Sequence, residues 1–118
     1  MTKPWLVSFD IDGTMEFGDP EGIITVDRVR DLAARGHIVG SGSDRTVADQ
    51  QRLWDRYDLE VHFVGHKHHL HEVRERFEAS RWVHIGDTQA DEYYALRAGF
   101  EFHWVDKLPD PGAPGWLW

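Results

Sequence analysis

The sequence predicts an α/β fold in three layers, with a five-stranded parallel sheet held between helices. Three observations predict it. Five short, mostly apolar runs are spread over the 118 residues, at 5–9, 37–40, 61–64, 82–85 and 101–105. Between them the apolar residues recur every three or four positions, the spacing of one helix face. The first run also stops abruptly at two aspartates and a glycine, as a strand buried on both faces does when it ends in a loop. Strands alternating with helices of about ten residues imply βαβ units, right-handed crossovers and a parallel sheet covered on both sides.

Each element has its own signature. Trp5-Leu6-Val7-Ser8-Phe9 is strand-sized and carries no charge. Val26, Val29 and Leu32/Ala33 follow a possible cap at Thr25 and precede a stop at Gly36. After the run at 37–40, Val47, Leu53/Trp54 and Tyr57 mark a second helix. After 61–64, Leu70, Val73 and Phe77 mark a third, and after 82–85, Ala90, Tyr94 and Ala98, closed by Gly99, mark a fourth. Residues 1–108 form one domain. The Pro/Gly-rich stretch 109–118 reads as an irregular tail ending in Trp116-Leu117-Trp118, and its two indoles expose apolar area unless they pack on the domain or on a second subunit.

Composition narrows the function. A chain that is 41% hydrophobic and 29% charged is expected to fold as a soluble globule. A net charge of −8, from 13 Lys+Arg against 21 Asp+Glu, argues against duplex nucleic acid as a partner, because that binding draws on many cationic contacts to phosphates. The absence of cysteine excludes disulfides, thiolate metal sites and a Cys nucleophile. No apolar run approaches the ~20 residues that span a bilayer, and the start lacks a signal peptide's apolar region. The expected location is cytoplasmic, with no membrane partner.

In open α/β sheets ligands bind beyond the carboxyl ends of the strands. The polar residues there are Asp10 and Asp12 after the first run, Ser41 to Ser43 after the second, Gly65 to Lys67 after the third and Asp87 after the fourth. Together they supply carboxylates for a nucleophile and for proton transfer, oxygen ligands for a hard cation, and donors for phosphate oxygens. Asp10 and Asp12 are two apart, so in an extended segment both face one ligand, and two like charges so close call for a cation. Gly13 lets the chain turn away sharply. Ser43, before Asp44, reads as a helix cap. Arg45 either binds a substrate anion or pairs with a neighbouring acid. His66, His68, His69 and His71 invite a zinc reading, but no carboxylate pattern completes such a site, and substrate contact or solvation is favoured. One of these histidines competes with Lys67 for the phosphate-binding role.

In these motifs the chain resembles the haloacid dehalogenase (HAD) superfamily of phosphatases. Asp10-Ile11-Asp12-Gly13-Thr14 is similar to its first motif, DxDGT; Ser41 to the Ser/Thr of the second; Lys67 to the basic residue of the third; and Gly86-Asp87-Thr88-Gln89-Ala90-Asp91 to the fourth, GDxxxD. The resemblance implies a Rossmann-like core and a Mg²⁺-dependent phosphomonoester hydrolase. In it Asp10 attacks phosphorus to give an aspartyl-phosphate. Asp12 protonates the leaving oxygen and then deprotonates water, which needs a proton affinity near the working pH. Mg²⁺ is held by Asp10, Asp87 and the backbone carbonyl of Asp12, with Asp91 supporting that shell or sharing in it, and Thr14 supports the first motif. Ser41, the Gly42 amide and Lys67 bind the phosphoryl oxygens.

Members of that superfamily often carry a cap domain. Here about 26 residues separate Thr14 from Ser41 and about 25 separate Ser41 from Lys67, and helices and strands claim most of both, so no cap is expected. Residues 15–22 make at most a small flap. An open site admits bulky phosphorylated substrates, small or macromolecular, or is covered by another subunit in a homo-oligomer. The rival readings are a catalytically weak phosphate- or partner-binding module of the same fold and, less favoured because of Asp12, Gly13 and Thr14, a haloacid dehalogenase.

Overall fold

The computed structural model describes residues 3–118. Five parallel strands form one sheet in the order β3-β2-β1-β4-β5: β1 (Trp5–Phe9), β2 (Ile38–Ser43), β3 (Phe63–His66), β4 (Arg81–Gly86) and β5 (Glu101–Trp104). The helices are α1 (Val26–Ala34), α2 (Val47–Arg56), α3 (Leu70–Arg76) and α4 (Gln89–Arg97). The chain builds outward from β1 to β3, then crosses back to β4 on the other side of β1. With right-handed crossovers this reversal puts α1 and α2 on one face and α3 and α4 on the other. The result is the expected three-layer, Rossmann-like α/β fold, with its switch in strand order between β1 and β4.

Strand alternation divides the core into two. Val7, Phe9, Val39, Val83 and Ile85 point to one face and pack with Val26, Val29, Leu32 and Trp54 of α1 and α2. Leu6 and Phe63 point to the other, against Leu70 and Val73 of α3, Ala95 of α4 and Ala98 just past its end. Three of the four helices start on capping threonines: Thr25, Thr46 and Thr88 accept from the amides of Arg28, Asp49 and Asp91, whereas α3 follows His69 with no side-chain cap.

The bounds of β2 to β5 all differ from those read in the sequence, most in β2 and β3. The apolar run of β2 ends at Gly40, yet the ladder continues to Ser43, which pairs with His66. The serines of that extension are buried, and their hydroxyls are satisfied by hydrogen bonds. β3 begins at Phe63 rather than at Val61. At the step before it, the His62 ring accepts from the Val39 amide while the His62 amide donates to the Val39 carbonyl, so a side chain takes one bond of the ladder.

The tail is part of the folded unit. Leu117 is 8% exposed and belongs to the core beneath α1 and α2. Trp116 meets Trp5 and His103 edge-on, Trp118 packs on Trp116, and the Arg28 guanidinium lies over the Trp118 ring. Arg35 donates to the Leu117 carbonyl and Arg81 to that of Gly115. Of the two destinations open to the indoles, the domain itself takes them. The loop 15–22 is likewise anchored, with Phe17 packed on Trp54 and Tyr57. Among the described residues no helix is long and apolar enough to cross a membrane.

Leu117→Ala is expected to cost about 2–3 kcal/mol, as for a buried leucine that leaves a cavity. Urea unfolding checks it: a midpoint unchanged from the parent protein would mean that the tail does not hold to the core in solution.

Candidate active site

Asp10 is the first residue past β1, at the carboxyl ends of the strands and beside the switch point. By alternation it lies on the face of Leu6 and Ser8, toward α3 and α4, and is 4% exposed. Its Oδ1 accepts from the Ile11 amide at 2.8 Å and its Oδ2 from Lys67 Nζ at 3.1 Å. Lys67 starts the short 3₁₀ turn Lys67–His69 directly after β3 and is 2% exposed. Its ammonium also meets Asp91 Oδ1 at 3.0 Å and Asp44 Oδ2 at 3.6 Å. Of the third-run candidates it is thus Lys67 that reaches Asp10.

Asp91, fully buried in the first turn of α4, is held from several sides. His84 Nε2 lies 2.8 Å from its Oδ1, while Oδ2 accepts from the Thr88 hydroxyl at 2.7 Å and the Thr88 amide at 3.1 Å, closing a capping box. The other His84 nitrogen is 2.9 Å from Ser8 Oγ, and both residues are fully buried. A chain of polar contacts therefore runs Ser8–His84–Asp91–Lys67–Asp10 under the site. Nothing in the sequence marked His84, which sits inside an apolar strand run; only its pairing beside Ser8 in the sheet gives it away.

Asp10 and Asp91 share one ammonium, and the proton goes where the donors are fewer. Burial, then the Asp91 charge, push the Asp10 carboxyl up to about 8, against the pull of Lys67. Burial also opposes ionisation of Asp91, but His84, Lys67 and Thr88 outweigh it and hold that carboxyl well below its usual range. Burial works against the Lys67 charge as well, and the attraction of Asp10 and Asp91 overcomes it.

Asp87 completes the acidic group. Oxygens of Asp10, Asp87 and Asp91 lie within 4.8 Å of one another. Asp87 Oδ1 is buried without a hydrogen-bond partner, an acceptor left for something the protein does not itself supply. Gly13, at φ +74°, packs so closely on Asp87 that a Cβ there would lie 1.9 Å from Oδ2. Gly86 is crowded in the same way by Asp91. Only glycine at these two places lets the carboxylates converge. Three carboxylates with an unspent oxygen suit a hard divalent cation, which takes oxygen ligands.

Asp12 stands apart at the open mouth. Its carboxylate accepts from the Asp19 amide at 2.8 Å and from Arg45 Nη2 at 2.8 Å, with Arg45 Nε 3.1 Å from both oxygens. Arg45 reaches on to Asp49 at 2.6 Å. Of its two sequence readings, pairing with an acid is therefore the one adopted. Partial burial raises the Asp12 carboxyl, but Arg45 and the Asp19 amide more than offset it, and the net shift is downward. This is opposite to the direction a general acid needs.

Ser41 does not join the cluster. It pairs with Phe9 across β1 and β2, so it points to the α2 face, away from Asp10. There, fully buried, its hydroxyl lies 2.7 Å from Gln50 Oε1 and accepts from Trp54 Nε1 at 3.0 Å. Gly42 is on the Asp10 face, over Ser8, Leu70 and His84, with its backbone inside the sheet. Ser43 does not cap a helix: it ends β2 and accepts from the Arg45 amide in the turn that follows, and Thr46 caps α2 instead. The Thr14 hydroxyl is buried without a partner. The His66 and His68 rings stack, His69 meets His68 edge-on, and tilted contacts join His71 and Tyr94 to the group, but the histidine nitrogens form no ligand cluster among the described residues.

Between about pH 4 and 8 the folded protein keeps a proton on Asp10 that the unfolded chain has lost, so this group makes stability fall as pH rises. Asp10→Asn removes that dependence. In chelator, the Tm of the variant minus that of the parent is expected to climb from pH 5 to pH 8 and then level off. A difference that stays flat over that range would show that Asp10 ionises like an ordinary carboxylate.

Comparison with family models, with curated proteins and with solved structures finds no match to this chain.

Proposed function

We propose that the protein is a Mg²⁺-dependent phosphomonoester hydrolase of the HAD type, acting through an aspartyl-phosphate on Asp10. The observation that carries this reading is the meeting of Asp10, Lys67, Asp87 and Asp91 at the carboxyl ends of the central strands, with one Asp87 oxygen left unpaired. Asp10, Asp87 and Asp91, with the Asp12 carbonyl, are the groups that would hold the cation. When bound, it supplies positive charge that lowers the cost of bringing a phosphate dianion to a carboxylate.

The protein's own residues do the rest. Asp10 has to be ionised to attack, and Lys67, already on its Oδ2, stabilises that form. The same ammonium offsets charge on the transferring phosphoryl group. Asp12 moves the protons. Arg45 keeps it ionised, which suits taking a proton from water and opposes giving one to the leaving oxygen, so the Arg45 contact has to loosen in the first half-reaction. Phosphate contacts expected from the Ser41 hydroxyl pass to Lys67 and to groups at the mouth of the site. His84 is a positioning residue, which orients Asp91 as an outer hydrogen-bond partner orients a metal ligand.

One observation favours a second reading, a phosphate- or partner-binding module with little turnover: the Arg45 clamp leaves Asp12 without a proton to give. Phosphate release decides between them. With Mg²⁺, wild type is expected to release inorganic phosphate from simple phosphomonoesters. Asp10→Asn should reduce this by at least three orders of magnitude while the circular dichroism spectrum is kept. Full activity in that variant would eliminate the nucleophile; metal binding without turnover in wild type would favour the binding module.

A separate measurement addresses His84. In calorimetric titrations of the apoprotein with Mg²⁺ or Mn²⁺, His84→Gln is expected to weaken binding by roughly 10–100-fold. Equal affinities would reduce His84 to a packing role.

A further inference from the structure

Asp87 also forms the edge of a cleft. At the carboxyl ends of β4 and β5 a space of about 380 Å³ is walled by Asp87, Trp104, Val105, Asp106 and Lys107. Trp104 closes β5 and pairs with Gly86, the residue before Asp87, so the indole stands next to the acidic cluster. The ring is half-buried and set edge-on against Phe102, with centroids 5.1 Å apart. The chain then tightens into the 3₁₀ turn Val105–Lys107. Val105 is pinned in the core at 8% exposure, while Asp106 and Lys107 are exposed at the rim. Neither makes an ion pair among the described residues.

We propose that this cleft is the leaving-group subsite of the phosphohydrolase and that it takes a planar ring with hydrogen-bond donors and acceptors, so that the substrates are nucleoside monophosphates. The inference rests on the hydrolase reading above and adds the substrate class. The indole is a stacking platform, and stacking on an aromatic side chain accepts any base because every base has a π-face. Asp106 accepts from an exocyclic amine or ring N–H, and Lys107 donates to a ring nitrogen or carbonyl. A volume of this order falls in the usual range for small-ligand sites. Charge selects a neutral ring: Asp87, Asp106 and the chain's net −8 disfavour a second anion on the leaving group. The wall shared with Asp87 joins the ring to the phosphoryl end at Asp10 and Lys67, with a sugar between them.

Ribose 5-phosphate and the nucleoside 5′-monophosphates have the same phosphate and the same leaving alkoxide, so comparing them isolates the ring. With Mg²⁺, kcat/KM is expected to be about tenfold higher for adenosine and guanosine 5′-monophosphates than for ribose 5-phosphate, mostly through KM. Trp104→Ala should bring the nucleotides down to the sugar phosphate and leave ribose 5-phosphate unchanged. Should Trp104→Ala fail to fold, the wild-type comparison together with Lys107→Ala, expected to lower only the nucleotide values, carries the test. Equal kcat/KM for sugar phosphate and nucleotides in wild type would overturn the subsite and leave the phosphohydrolase standing. No phosphate release from ribose 5-phosphate or from any nucleotide would overturn both.

Discussion

A buried ammonium between two buried carboxylates organises the carboxyl end of this sheet. Lys67, Asp10 and Asp91 come from three separate elements and none is more than 4% exposed. Taking such charges out of water costs several kcal/mol per ion, which only close pairing and further hydrogen bonds recover. That requirement constrains the architecture around them. Lys67 follows β3 and Asp10 follows β1, with β2 between, so the lysine has to span about two strand spacings, near 10 Å. One residue beyond the Phe9–Ser41 pair, β2 presents Gly42 on that face. Its missing side chain leaves the ground beneath to Ser8 and His84. Strand order, a 3₁₀ turn that starts at once after β3 and glycines beside the acids all serve one cluster of charge.

Within that cluster the hydrogen-bond donors are divided unequally, and the division separates the roles of the acids. Asp91 holds four contacts, from His84, Lys67 and the Thr88 hydroxyl and amide, and caps its own helix. Asp10 holds two and is left with the raised proton affinity. In the proposed hydrolase the more firmly held carboxylate supports, and the less satisfied one is the nucleophile. A buried polar chain of this kind is stable only when every member is paired, which explains a fully buried histidine whose two ring nitrogens are both engaged.

The opposite rim is built from exposed groups. Asp12, Arg45 and Asp49 are all partly accessible, and their contacts exchange with water at little cost. A rigid interior beside a labile rim suits a site in which one acid stays in place while another trades partners. At the strand ends, Trp104 is the large flat surface that lines one cleft with Asp87.

Much of this was legible in the chain because it depends on local rules. Alternation of strands and helices, the cap at Thr25 and the aspartates after Phe9 set the fold class, the strand count and the end of the sheet where polar groups gather. Lys67 and Asp87 could be named from their place just past apolar runs. What could not be read was the direction each side chain takes. Ser41 lost its place beside Asp10 to the pleat, which turns alternate residues to opposite faces once the register with Phe9 is set. His84 entered the cluster only because β4 lies beside β1 and brings it to Ser8, and Arg45 closed on Asp12 because α2 brings Asp49 within reach of the same guanidinium. Local pattern along the chain sets which chemical groups arrive at the carboxyl edge. Which of them face one another follows from register and strand order, and these are settled by packing across the sheet and not by neighbours along the chain.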